Sequence, residues 1–213
     1  MNLVEERELI VATGRRLNDS GLNQGTSGNL SVRVVDGFLV TPTGVPYETL
    51  RPEQVVQMRA DGSVLPGQLV PSSEWAIHRD VYAARAEVGG VLHAHSMFAT
   101  TLACLRRGIP AVHYMVAAAG GSDIRCADYA TYGTPELSRN VLAALRDRKA
   151  CLMANHGLVT VGESLPAAFK LAVEVETLAA QYWRALQVGE PVILDDAEMA
   201  RVLAKFKSYG QQK

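Results

Sequence analysis

The residues with the clearest chemical content are histidines, of which the chain has only five. His93-Ala94-His95 closes an apolar run from Gly90 that reads as a strand. Side chains two apart in a strand share a face and lie two strand rises apart. That separation suits two imidazoles converging on one cation, with zinc–nitrogen bonds of about 2.0–2.1 Å. His156 follows a second apolar strand, Ala150 to Asn155, at the kind of strand end where α/β sheets gather functional residues. Three imidazoles with room for a carboxylate or a substrate oxygen describe a catalytic rather than a structural metal site. Imidazole is a borderline ligand, so Zn2+, Mn2+ and Co2+ are all chemically admissible. A His-x-His pair also occurs as two half-buried histidines with backbone partners, and the spacing alone leaves both readings open. His113 is a weaker candidate, and His78, beside Arg79, is expected on a helix surface.

Three other segments could hold an anion without a lysine. The loop Gly25-Thr26-Ser27-Gly28-Asn29 offers backbone N–H groups, a hydroxyl and an amide where glycine permits close approach. Thr43-Gly44 is a second such turn, and Ser72-Ser73 stands at a predicted helix start, whose unpaired N–H groups and dipole favour phosphate. Each is also explained as an ordinary turn or cap. No Walker lysine follows a glycine loop, which argues against nucleotide triphosphate hydrolysis. Glu74 falls in the first turn of the same predicted helix, where dipole pairing would account for it. As a carboxylate in a partly dry site it is expected to titrate nearer neutrality and to move a proton.

The elements that must position these groups follow from local patterns. An amphipathic helix is predicted over 3–19, then a hairpin from Leu30 to Val35 and Phe38 to Thr41 turning at Asp36-Gly37. A second hairpin is predicted through Val55–Ala60 and Val64–Leu65, turning at Asp61-Gly62. Serine-capped helices are expected from Ser72 to about Glu87 and from Ser96 to Arg107, and a Thr134-capped helix runs to about Lys149. Ser164 starts the longest helix, and Asp195 or Asp196 begins a last one ending at Ser208. The alternation describes one α/β domain over 1–213, a mixed, mostly antiparallel central sheet covered by helices in a three-layer sandwich.

Composition limits the partners. Of 213 residues, 48% are apolar, and 21 basic against 22 acidic residues leave a net charge of −1, which argues against nucleic acid as the main partner. No apolar run approaches the roughly 20 residues a membrane helix needs. Cys104, Cys126 and Cys151 lack metal-knuckle spacing and are expected as reduced thiols in a cytoplasmic protein.

Taken in order, Leu22-Asn23-Gln24-Gly25-Thr26-Ser27-Gly28-Asn29, Thr41-Pro42-Thr43-Gly44, Pro71-Ser72-Ser73-Glu74, His93-Ala94-His95 and Asn155-His156-Gly157 resemble the zinc-dependent class II aldolase/epimerase family. The likeness runs from about residue 8 to residue 210. It implies one zinc per subunit on His93, His95 and His156, with Glu74 as a fourth ligand that yields to substrate and carries the proton. Gly28, Asn29, Thr43, Gly44, Ser72 and Ser73 would hold a substrate phosphate. Tyr114 would act on the hydroxyl of the aldehyde half, with Tyr132, Phe206 and Tyr209 lining it, the last two from a C-terminal helix and tail over 196–213. The implied reaction is cleavage of a deoxyketose 1-phosphate of the L-fuculose 1-phosphate type to dihydroxyacetone phosphate and a small aldehyde such as L-lactaldehyde. Alternatives are 5-deoxyribulose or 5-methylthioribulose 1-phosphate as substrate, or a pentulose-5-phosphate 4-epimerase or methylthioribulose-1-phosphate dehydratase. The resemblance also implies a homotetramer with active sites between subunits. Tyr132 stands where the family commonly has phenylalanine, and Asn155 where it has histidine.

Overall fold

The computed structural model describes residues 3–206. Helix α1 (Val4–Asp19) leads into β1 (Asn29–Val34), β2 (Gly37–Val40) and β3 (Val56–Arg59). Helix α2 (Trp75–Ala84), β4 (Gly90–Ala94) and α3 (Met97–Cys104) follow. A 3-10 segment (Tyr114–Ala119), β5 (Arg125–Ala127), α4 (Pro135–Ala144), β6 (Ala150–Met153), β7 (Gly157–Gly162), α5 (Leu165–Val188) and α6 (Asp196–Phe206) complete the described chain. The strands form a seven-stranded sheet in the order β3-β2-β1-β4-β7-β6-β5, antiparallel at every pairing except β5 with β6. This is the expected mixed sheet covered by helices.

Both faces are buried, so alternate residues of one strand enter different cores. Leu92 and Ala94 of β4 join Leu30, Leu152 and Leu158 under α1, α3 and α5, while Val91 joins Phe38, Met153 and Val159 under α2 and α4. A strand covered on both sides loses the apolar–polar alternation that betrays strands in sequence. That explains why β7, buried throughout its Leu-Val-Thr-Val centre, has no strand pattern legible in the sequence.

Local departures have local causes. The first hairpin pairs Val34 with Gly37, so its two-residue turn is Val35-Asp36, one residue earlier than predicted, with Asp36 in the left-handed region. The predicted second hairpin reduces to an isolated bridge between Met58 and Val64. Ser96 stands at the start of α3 but makes no capping bond; the carboxylate of Glu176 on α5 accepts instead from the N–H groups of Phe98 at 2.8 Å and Ala99 at 2.9 Å. All three cysteines are free thiols, and Cys151 is buried. No helix among the described residues is long and apolar enough to cross a membrane.

Candidate active site

The histidines converge as the strand geometry requires. His93 points from β4 towards α2, His95 follows the end of the strand, and His156 sits in the three-residue turn between β6 and β7. One ring nitrogen from each lies within 4.8 Å of the others. His93 Nε2 faces His95 Nε2 at 3.0 Å, and His93 Nδ1 lies 2.9 Å from the Leu158 carbonyl. Donation of Nδ1–H to that carbonyl leaves Nε2 as the lone pair facing the cluster. Gly157 makes the convergence possible: a Cβ there would lie 2.5 Å from the Ala94 carbonyl oxygen and 3.0 Å from the His95 ring. Asn155, the middle residue of that turn and next to His156, adopts φ +54°, a conformation asparagine tolerates better than most residues.

Glu74 reaches the cluster because α2 begins one residue after it, at Trp75 rather than Ser72. It occupies the N-cap position yet makes no capping bond with its side chain. Its Oε2 accepts from Asn29 Nδ2 at 3.0 Å and lies 3.2 Å from His93 Nε2. Its Oε1 lies 3.3 Å from His156 Nε2 but accepts no hydrogen bond, although it is buried. Burial would raise this carboxyl, but the charges of His93 and His156 and the hydrogen bonds from His93 and Asn29 outweigh it and hold it well below the ordinary range. The expected shift towards neutrality is therefore reversed in the chain by itself. His93 is raised because Glu74 outweighs its burial, whereas burial and the neighbouring imidazoles push His95 and His156 down to about 4. Three imidazole nitrogens, an anionic oxygen and one buried carboxylate atom without a partner form a donor set that fits a divalent cation.

The anion segments surround the same site. Backbone bonds from Ser72 N to the Thr41 carbonyl (3.0 Å) and from Thr43 N to the Val70 carbonyl (3.1 Å) hold the Thr43-Gly44 turn against Ser72-Ser73. Gly28 has φ +70°, and a Cβ on it would lie 2.6 Å from the His93 carbonyl oxygen. These segments, with Glu74, His95, His156 and Tyr132, line one cavity of about 490 Å³ that no lysine or arginine among the described residues enters. Two contributors were missed from sequence. Tyr129 lines the cavity. Buried Asn23 ties the glycine loop to the metal cluster by accepting from His95 N at 3.3 Å and donating to the Ser27 carbonyl.

Tyr114 and Phe206 are not brought to this cavity within one chain. Their rings lie 6.5 Å apart and line a different cavity of about 770 Å³, beside His113, which stacks on Tyr114. Tyr209 lies outside the described residues. His78, expected on a helix surface, is fully buried. Its Nε2 is 2.5 Å from Asn29 Oδ1 and its Nδ1 2.6 Å from Ser31 Oγ, polar partners that replace solvent.

This arrangement is an α/β fold of the class II aldolase type with a three-histidine group that could hold a metal ion. The chain belongs to the Class II Aldolase and Adducin N-terminal domain family, whose model matches residues 8–183, and it is an aldolase, a lyase. It is 55% identical to the 5-methylthioribulose-1-phosphate/5-deoxyribulose-1-phosphate aldolase of Rhodospirillum rubrum, over 96% of this chain and 92% of that protein. It is 48% identical to the L-fuculose phosphate aldolase of Escherichia coli, over 94% of each. A solved L-fuculose 1-phosphate aldolase superposes with TM-score 0.92 at 41% identity, covering 95% of this chain and 96% of that one.

Proposed function

We propose that the chain cleaves a deoxyketose 1-phosphate between C3 and C4, releasing dihydroxyacetone phosphate and a short aldehyde. The observation that carries this reading is the meeting of the His93/His95/His156/Glu74 cluster with the Gly28, Thr43-Gly44 and Ser72-Ser73 segments around one cavity. Among substrates, the five-carbon 5-deoxyribulose and 5-methylthioribulose 1-phosphates are supported by the relative that is 55% identical. L-fuculose 1-phosphate is the second reading, supported by the relative at 48% and the structure at TM-score 0.92.

Backbone N–H groups and hydroxyls at Gly28, Thr43, Gly44, Ser72 and Ser73, with the Asn29 amide, hold the phosphate and fix the ketose. His93, His95, His156 and Glu74 hold a divalent cation, zinc being the natural choice, which when bound supplies positive charge to stabilise the electron pair left by C3–C4 cleavage. Tyr114 accepts the proton of the C4 hydroxyl as its own phenolic proton passes to water, so that C4 leaves as an aldehyde carbonyl. Glu74, after taking up a proton from water, delivers it to C3 from Oε1, the oxygen not engaged by Asn29, which balances the proton removed at C4. Tyr132 lines the aldehyde side of the cavity. The separation of Tyr114 from that cavity supports a site completed by a second copy, in a homotetramer with Tyr114 and Phe206 contributed across the interface.

The deciding experiment is a panel of ketose 1-phosphates against metal-reconstituted protein, with dihydroxyacetone phosphate detected by a coupled dehydrogenase. The expected result is release from a deoxyketose 1-phosphate, with kcat/KM highest for the five-carbon substrates. Absence of dihydroxyacetone phosphate from every member would overturn the aldol cleavage, and a higher kcat/KM for L-fuculose 1-phosphate would select the second reading.

A further inference from the structure

Beneath the histidine cluster lies a polar ladder of which the proposed reaction uses only the upper end, Glu74 and Asn29. Glu74, at the N-cap of α2, and His78 and Tyr82 within it are spaced i, i+4, i+8, and Asn29 and Ser31 are alternate residues of β1. Four residues of helix rise about 6 Å and two residues of strand about 6.7 Å, so the stripes run in step. Asn29 lies between Glu74 and His78, and Ser31 between His78 (2.6 Å) and Tyr82 (2.7 Å). All five side chains are buried, with His78 and Ser31 fully so.

Every bond in this ladder has a forced direction. A carboxylate only accepts, so Asn29 presents its NH2 to Glu74 Oε2 and its Oδ1 to His78. His78 must then donate from Nε2, which leaves Nδ1 to accept from the Ser31 hydroxyl, and Ser31 in turn to accept from Tyr82. Burial depresses His78 to about 3, consistent with a neutral ring that has one donor and one acceptor.

We propose that His78 is a positioning residue for Glu74. As the neutral Nε2–H tautomer it locks the Asn29 amide, which engages Oε2 and leaves Oε1 as the oxygen that moves the proton. With His78 replaced by an apolar side chain, Asn29 Oδ1 has no donor, its amide can turn over, and the distinction between the two carboxylate oxygens is lost. This inference rests on the role given to Glu74 above.

The test begins with the wild-type protein. Imidazole 15N shifts are expected to show His78 as the Nε2–H tautomer, and an Nδ1–H tautomer would overturn the proposal. His78→Leu is expected to lower kcat about 10- to 100-fold, with a smaller rise in KM for the ketose phosphate because the Asn29 amide also holds the phosphate. It should also weaken Zn2+ binding to substrate-free protein, measured by chelator competition, on the order of 10-fold. His78→Gln, whose amide can donate to Asn29, should restore most of both. Equal losses in the two variants would overturn positioning in favour of packing, as would wild-type kcat and zinc affinity in folded His78→Leu. Should His78→Leu fail to fold, His78→Gln still decides: most of the wild-type kcat supports the proposal, and a loss as large as that of Glu74→Gln overturns it. Wild-type turnover in Glu74→Gln would instead overturn the role of Glu74, a failure distinct from that of the tautomer measurement.

Discussion

Strands β1 and β4 face two different interiors. Towards α1, α3 and α5, Leu30, Val32, Leu92 and Ala94 are buried among leucine, alanine and valine. Towards α2, Asn29, Ser31 and His93 are buried, and Arg33 is half-buried, among Glu74, His78 and Tyr82. Arg33 continues the polar ladder beyond the site, its guanidinium 4.7 Å from the centre of the Tyr82 ring and donating to the Tyr82 and Arg85 carbonyls. The apolar layer gains stability from area removed from water, about 1.5–3 kcal/mol for a fully buried leucine. The polar layer nets little per bond, about 0.5–1.5 kcal/mol, but leaving a member unpaired costs about 1–3 kcal/mol. The apolar layer therefore holds the chain together, and the polar stripe, set beside a second apolar cluster of Phe38, Val91, Met153 and Val159, holds side chains in fixed directions.

Substitutions can break that division. The largest effect is expected from Glu74→Gln, with kcat down about 100- to 10,000-fold. Metal analysis should still find the cation, because three imidazoles remain; wild-type turnover would remove Glu74 from the mechanism. Leu92→Ala, on the apolar face of the same strand that carries His93, is expected to cost about 2–5 kcal/mol in denaturant unfolding. The fraction that stays folded should keep the wild-type kcat, and a loss of kcat without loss of stability would erase the contrast between the faces.

Assembly offers a third way to sharpen it. Mixing Glu74→Gln subunits with Tyr114→Phe subunits after dissociation should recover activity, since some interfaces would then pair an intact Glu74 with an intact Tyr114. A mixture as inactive as its parents would place both residues in one chain's site.

Proton linkage separates the layers more subtly. His78 is depressed from its ordinary 6.5 to about 3 in the folded chain. Between those values the unfolded chain binds a proton that the folded chain refuses, so this residue destabilises the fold progressively as pH falls from about 6.5 to about 3 and not above that window. The stability deficit of His78→Gln at pH 8 should thus shrink towards pH 4, read from unfolding curves at both pH values. The smallest effect is expected from Glu176→Gln, which weakens the charged cap on α3 by about 0.5–2 kcal/mol.

The histidine cluster is legible because short periods carry it: His93 and His95 two apart on a strand, and His156 beside a glycine at a strand end. The phosphate-type loops were legible because glycine, serine and threonine mark turns and helix starts. His78 was misread because a polar neighbour, Arg79, suggests an exposed face, whereas the stripe Glu74, His78, Tyr82 was the better signal. Each of those side chains is polar, so helical periodicity in hydrophobicity does not reveal that the stripe is buried. Ser96 was expected to cap α3 because serine commonly does; the actual cap, Glu176, is 80 residues away and no local pattern reaches it.

The sequence by itself determined the layered α/β architecture, the chemical kinds of group at the site and the order of its motifs, because alternation, turn chemistry and capping act over a few residues. Only the tertiary structure decided which groups meet. It aligned β1 with α2 so that Asn29 bridges Glu74 and His78, lowered the Glu74 carboxyl instead of raising it, and kept Tyr114 with Phe206 outside the histidine cavity of its own chain. These outcomes depend on distances and burial between segments remote along the chain, which local periodicity does not encode.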